Sequence, residues 1–142
     1  MSRDKTERIT ADEYRALMQA PESKNKHGAV GMRIDGIWFD STLEANRYKI
    51  LKALEFSGHI KNLRVHPKYE LTPAGEFGGI KQRATHYVGD FEYEHNGQIV
   101  TEDVKGQVTD DAIRKMKQFA TVYDRQVYIV TDYRDHLGGK CK

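Results

Sequence analysis

The stretch GDFEYEHNGQIVTEDVKG, residues 89–106, decides how this chain folds. Asn96-Gly97 sits between two runs of alternating polar and apolar residues. That dipeptide is the strongest short-range hairpin signal, because the tight turn needs positive φ at both central positions. Strands are therefore predicted over Arg83–His95 and Gln98–Lys105. In a two-residue loop His95 faces Gln98, so Phe91 faces Glu102 and Asp90 lies opposite Asp103. Opposed side chains have Cβ atoms about 4.5–5.5 Å apart, and like charges there repel unless solvent or a cation intervenes. Lys105 shares the Asp103 face because strand side chains alternate with period two. Glu102 points the other way, beside Phe91, and ranks below Asp103 as a ligand.

Outward from this hairpin, Leu63–Leu71 reads as a strand with Pro67 at an edge or bulge, and Thr72–Gly79 (TPAGEFGG) as a flexible loop. Ser41-Thr-Leu-Glu44 is a capping box. It opens the strongest helix, to Ser57, with Leu43, Ile50, Leu51 and Leu54 at helical spacing and Gly58 as the stop. Val30–Ile34 and Ile37–Phe39 flank the turn Asp35-Gly36. Thr10-Ala-Asp-Glu13 starts a short helix to Ala20, and the polar run Pro21–Gly28 reads as a linker. Downstream, Thr109 caps a helix to Asp124, with Ile113, Met116, Ala120 and Tyr123 expected inward. Gln126–Thr131 (QVYIVT) is expected as a buried strand. The order α, ββ, α, β, ββ, α, β implies an α/β (α+β) fold, a mixed sheet flanked by helices. Residues 1–28 form an expected helical arm and linker, 29–133 the folded domain and 134–142 a flexible tail.

The 142 residues are 38% hydrophobic and 31% charged, and eight Tyr, five Phe and one Trp suffice for one core. No apolar run approaches the roughly 18 residues of a membrane span, and the N-terminus lacks a signal-peptide core. The single cysteine, Cys141, excludes a disulfide scaffold and cysteine-based zinc. The six histidines show no H-x-x-x-H spacing. A soluble, cytoplasmic protein is expected. The net charge of +2 implies no general nucleic-acid coat. Between Asp90 and Asp111, however, seven acids accompany one base, Lys105. Such a stretch suits a bound cation, or else two solvated strands and a helix start.

Two carboxylates with a few waters suit a hard cation such as Mg²⁺. A neighbouring lysine can position the attacking water and offset charge in a phosphoryl transition state. The competing reading is an exposed hairpin that tolerates one repulsive pair. Lys24, Lys26, Arg33, Arg47, Lys49, Lys81 and Arg83, with Lys115 and Lys117 on the last helix, are the pool for a DNA-backbone surface.

An acidic strand residue, 12 intervening residues and then Asp103-Val-Lys105, after a helix containing Glu44, resembles the PD-(D/E)XK nuclease pattern. The segments FDSTLEANRYKILKALEFSGHI, HPKYEL, GDFEYEHNGQIVTEDVKG and QVYIV resemble a family of small phage-encoded proteins of that superfamily. The resemblance spans Lys26–Thr131. It implies a restriction-endonuclease-like core and a Mg²⁺-dependent endodeoxyribonuclease, with Mn²⁺ able to substitute. It also implies a homodimer acting on branched DNA such as a Holliday junction, in a bacterial host cell. Carried over, Asp90, Asp103 and Glu44 become metal ligands and Lys105 the catalytic lysine, while Gln107, two residues beyond on the same strand face, positions water or phosphate. Gly89 stands where the proline of the motif is expected. Glu44 has a competing structural reading, as the third helical residue returning a hydrogen bond to Ser41. Two other classes stand beside the nuclease: a nuclease-fold DNA-binding or regulatory protein that does not cut, and a protein-interaction domain using Ser2–Lys26.

Overall fold

The computed structural model describes residues 22–24 and 30–138. In chain order the elements are β1 (Glu22–Lys24), β2 (Val30–Ile34), β3 (Ile37–Phe39), α1 (Thr42–Phe56), β4 (Lys61–Val65), β5 (Lys68–Thr72), β6 (Gly75–Phe77), β7 (Ile80–Gln82), β8 (Thr85–Val88), β9 (Phe91–His95), β10 (Gln98–Val104), α2 (Asp110–Tyr123) and β11 (Val127–Val130). The predicted helix over Thr10–Ala20 lies outside the described residues. Within the stretch read as a linker, Glu22–Lys24 pairs antiparallel with β2.

The Asn96-Gly97 turn, with φ of 51° and 76°, joins β9 to β10 in the expected register, Gln98 opposite His95 through Glu102 opposite Phe91. A four-stranded sheet runs in the order β11-β10-β9-β4. β9 is antiparallel to both neighbours, and β11 is parallel to β10. The fold is α+β, with a mixed central sheet and, among the described residues, two helices.

Strand alternation sends Phe91, Tyr93 and Val100 into a core shared with Ala45, Tyr48 and Leu51 of α1 and with Met32, Ile34 and Phe39 of the β2–β3 hairpin. On the other side, Met116 and Phe119 of α2 pack on Tyr69, Leu71 and Tyr87. The buried face of α2 is turned from the expected one: Ile113 and Tyr123 are exposed. β11 is a sheet edge, with only Val130 fully buried, because the connection through α2 returns the chain beside β10 and nothing described covers its far side. The segment read as a flexible loop is instead the two-stranded hairpin β6–β7, closed by Gly78-Gly79.

Two predicted strands are each broken once, and the breaks face each other. Leu63–Leu71 is interrupted at His66-Pro67, and Arg83–His95 at Gly89-Asp90. The His66 N–H donates to the Asp90 carbonyl at 2.9 Å, and the Gly89 N–H to the Pro67 carbonyl at 2.9 Å. Pairing thus passes across the kink while β5 and β8 leave the central sheet together. His66 takes φ of 53°, a left-handed conformation rare outside glycine.

Buried polar groups hold the α1 face to the sheet. Arg47 and Glu102 are both fully buried. Arg47 Nε and Nη2 donate to Glu102 at 2.8 and 2.5 Å, and its Nη1 donates to the carbonyls of Tyr133 and Asp135. The Tyr93 hydroxyl donates to the same carboxylate. Arg47 is therefore a structural cation and leaves the pool of DNA-backbone candidates. The segment after β11, read as part of a flexible tail, is docked through Asp135 and through Gly138, whose N–H donates to the Tyr93 hydroxyl.

Candidate metal and phosphate site

The facing strand breaks bring their side chains to the N-terminal end of α1. The Ser41 hydroxyl caps that helix by accepting the Glu44 N–H at 3.1 Å. The Glu44 carboxylate turns to His66, 2.6 Å from its Nε2. Half of the capping box is thus formed, and the carboxylate serves the site. One ligand atom each from Glu44, His66 and Asp90 lie within 4.8 Å of one another, a separation that lets one cation touch all three.

Asp90 sits where β9 leaves its pairing with β10. Its N–H still donates to the Glu102 carbonyl, at 3.0 Å, while its side chain accepts the Val104 N–H at 2.6 Å. The ladder stops at Phe91–Glu102, so Asp90 is not paired with Asp103 as the two-residue turn predicts, because the kink at Gly89-Asp90 shifts it onto Glu102. The two carboxylates are nevertheless neighbours. Burial, then the nearby Glu44 and Asp103 carboxylates, push the Asp90 carboxyl up to about 8 from the ordinary 3.8. Burial also raises Glu44, against the pull of the His66 hydrogen bond. Acids raised in this way are short of positive charge, which a divalent cation supplies.

Asp103 is buried beside them. One of its oxygens lies 3.2 Å from Lys105 Nζ, and the other accepts the Tyr87 hydroxyl at 2.5 Å. Burial and that carboxylate raise Tyr87 well above the ordinary tyrosine range, so it stays a hydrogen-bond donor. Lys105 is anchored by its N–H to the Val130 carbonyl at 3.0 Å, and its side chain is one-third exposed. Beside it opens a groove of about 250 Å³, lined by His86, Tyr87, Asp103, Lys105, Thr109 and Lys115.

Four of the five expected site residues, Glu44, Asp90, Asp103 and Lys105, are thus gathered by α1, the strand break, β10 and the residue just past its end, where the Lys105 N–H still bonds Val130. Gln107 is not. β10 ends at Val104, so strand alternation does not reach Gln107, which is exposed in the loop before α2. No hydrogen bond or ion pair among the described residues joins its side chain to the carboxylates. His66 is the residue the sequence reading passes over. Its signal was the dipeptide His66-Pro67 inside a strand pattern, where proline breaks the ladder and re-aims the residue before it. Gly89 also gains a reason. A proline there would have no N–H for Pro67, and an added Cβ would meet Thr101 Cγ2 at 3.3 Å.

The family model for "Protein of unknown function (DUF1064)" matches residues 24–134. The chain belongs to this family. The matched span carries every residue of the cluster, from Glu44 to Lys105. No curated protein and no solved structure gives a significant match. No helix among the described residues is long and apolar enough to cross a membrane.

Proposed function

We propose that this chain is a Mg²⁺-dependent endodeoxyribonuclease that hydrolyses phosphodiester bonds, with branched DNA as its preferred substrate. The observation that carries the reading is the cluster of Glu44, His66 and Asp90, with the Asp103 carboxylate near enough to raise both acids and Lys105 Nζ 3.2 Å from Asp103. Glu44, Asp90 and Asp103 would hold the cation, with His66 as a nitrogen donor that also suits Mn²⁺. A divalent ion so bound supplies Lewis acidity toward a phosphate oxygen and its leaving group.

The chain's own groups do the rest. Lys105 places a positive charge at the mouth of the groove, where it can hold a phosphate oxygen or orient a water. Tyr87 fixes the Asp103 carboxylate in one orientation. Two-strand cutting of a branched substrate requires two such sites, which a homodimer supplies, and a phage-encoded enzyme of this kind would act in the bacterial cytoplasm.

A second reading, a DNA-binding or regulatory protein that does not cut, draws on the 2.6 Å Glu44–His66 contact, which closes the cluster on itself. A panel of labelled linear, nicked, flapped and four-way DNAs, incubated with Mg²⁺ or EDTA, separates the two. Mg²⁺-dependent products support the enzyme; shifted bands without products support the binder.

A further inference from the structure

The chain between β5 and β8 serves no part of the site described above, yet it projects from it. β5 pairs with β8, and beyond them β6 pairs with β7, so residues 68–88 form a two-stranded ribbon. Its base is tied to the site through the Tyr87 hydroxyl on Asp103. Its tip is the pair Phe77 and Ile80, directly opposite each other across Gly78-Gly79. The glycines have φ of 60° and 78°, as a two-residue hairpin turn requires. Phe77 and Ile80 are 53% and 63% exposed, and every residue from Pro73 to Arg83 is exposed. Unlike the singly exposed Ile99 or Val122, these two bulky apolar side chains are paired at the end of an arm, where they are free to insert into a partner.

We propose that this hairpin is a DNA wedge: Phe77 and Ile80 insert between bases at a branch point while the metal cluster cuts nearby. The inference rests on the nuclease reading and names its substrate more closely. Size selects the occupant. Two side chains fall far short of the roughly 800 Å² per partner of a stable protein interface. They match one base step, the target of apolar wedges in DNA-bending proteins. Charge agrees. Lys81 and Arg83 follow the tip on the strand returning to the site; Glu76, the sole acid from Pro73 to His86, faces Lys81 across the hairpin, so Arg83 leaves the arm net positive. Reach agrees as well. From Ile80 to Tyr87 the ribbon spans at most about 23 Å at ~3.3 Å per residue. That is roughly seven base pairs at ~3.4 Å each. A branch point is where insertion is easiest, because stacking is already broken there.

The test uses the full chain with four-way and linear DNA carrying 2-aminopurine at successive steps from the branch, in Ca²⁺ to retain binding without turnover. The wild type should raise fluorescence severalfold at one step within about seven base pairs of the cut. Phe77→Ser combined with Ile80→Ser should abolish that rise with no change in melting temperature, since both side chains are exposed. In Mg²⁺ the double variant should lose at least tenfold of the preference for four-way over linear DNA and keep its rate on linear DNA. A wild type that binds and cuts DNA with flat fluorescence overturns the wedge alone. So does a double variant with an undiminished rise, or one that dissociates a dimer while still unstacking bases. A wild type that neither binds nor cuts DNA overturns the nuclease reading and the wedge with it.

Discussion

Replacing Asp90 by asparagine tests whether the carboxylates are crowded for want of a cation. The amide oxygen can still accept the Val104 N–H, so the backbone anchor survives. The negative charge beside Glu44 and Asp103 is removed. Burial and those neighbours raise the Asp90 carboxyl to about 8, from 3.8 when unfolded. Between those two values the folded chain holds a proton that the unfolded chain has released, so metal-free stability falls as pH rises. At about 1.36 kcal/mol per pKa unit the loss is capped at roughly 6 kcal/mol. Relaxation of the buried site and penetration of water bring the working figure to about half of that. Urea denaturation in EDTA should therefore find Asp90→Asn about 3 kcal/mol more stable than wild type above pH 8, with the gap closing toward pH 4. In millimolar Mg²⁺ the order should reverse, because only the wild type gains from binding. A gap in EDTA that ignores pH, or an asparagine variant less stable at pH 9, would show that attraction rather than crowding holds Asp90.

Four further outcomes follow from the same contacts. Ser41→Ala loses the acceptor of the Glu44 N–H and should cost about 1 kcal/mol by thermal denaturation, with cleavage retained; Glu44→Gln should keep stability and lose most cleavage at low Mg²⁺, and full activity there would leave the Glu44 carboxylate a structural partner of His66 only. Lys105→Met keeps the apolar stem, so DNA binding by gel shift should persist while single-turnover cleavage falls by orders of magnitude; an unchanged rate would leave Lys105 only the ion-pair partner of Asp103. Gly89→Pro restores the motif's usual proline but removes the N–H that meets the Pro67 carbonyl, and chemical denaturation should record a loss of about 1–3 kcal/mol, whereas equal or greater stability would contradict the paired strand breaks.

The hairpin, its register and the Asp90–Asp103–Lys105 grouping were legible because Asn96-Gly97 fixes pairing locally. The cap on α1 was legible for the same reason: Ser41 and Glu44 are three residues apart. What escaped depends on long-range contacts. Arg47 looks like a surface cation until Glu102, 55 residues away, neutralises it in the core. That buried polar stripe of Glu44 and Arg47 also hides which face of α1 turns inward, since an apolar count favours Leu43 and Ile50. The two long strand patterns keep their alternation through their breaks, so only Pro67 and Gly89 mark where the chain kinks. His66 reaches the cluster through that kink and its left-handed φ, which no spacing rule encodes. Gln107 fails for the opposite reason. Period two was carried past Val104, where β10 stops.

The central claim is that the Glu44, Asp90 and Asp103 carboxylates hold the cation with which Lys105 cuts DNA. Its most direct test is single-turnover cleavage of an end-labelled four-way junction across a Mg²⁺ titration, wild type beside Asp103→Asn. The account predicts products that rise with Mg²⁺ for the wild type and none for the variant, though both bind the junction. Equal Mg²⁺-dependent cutting by the variant, or wild-type cutting that persists in EDTA, would contradict it.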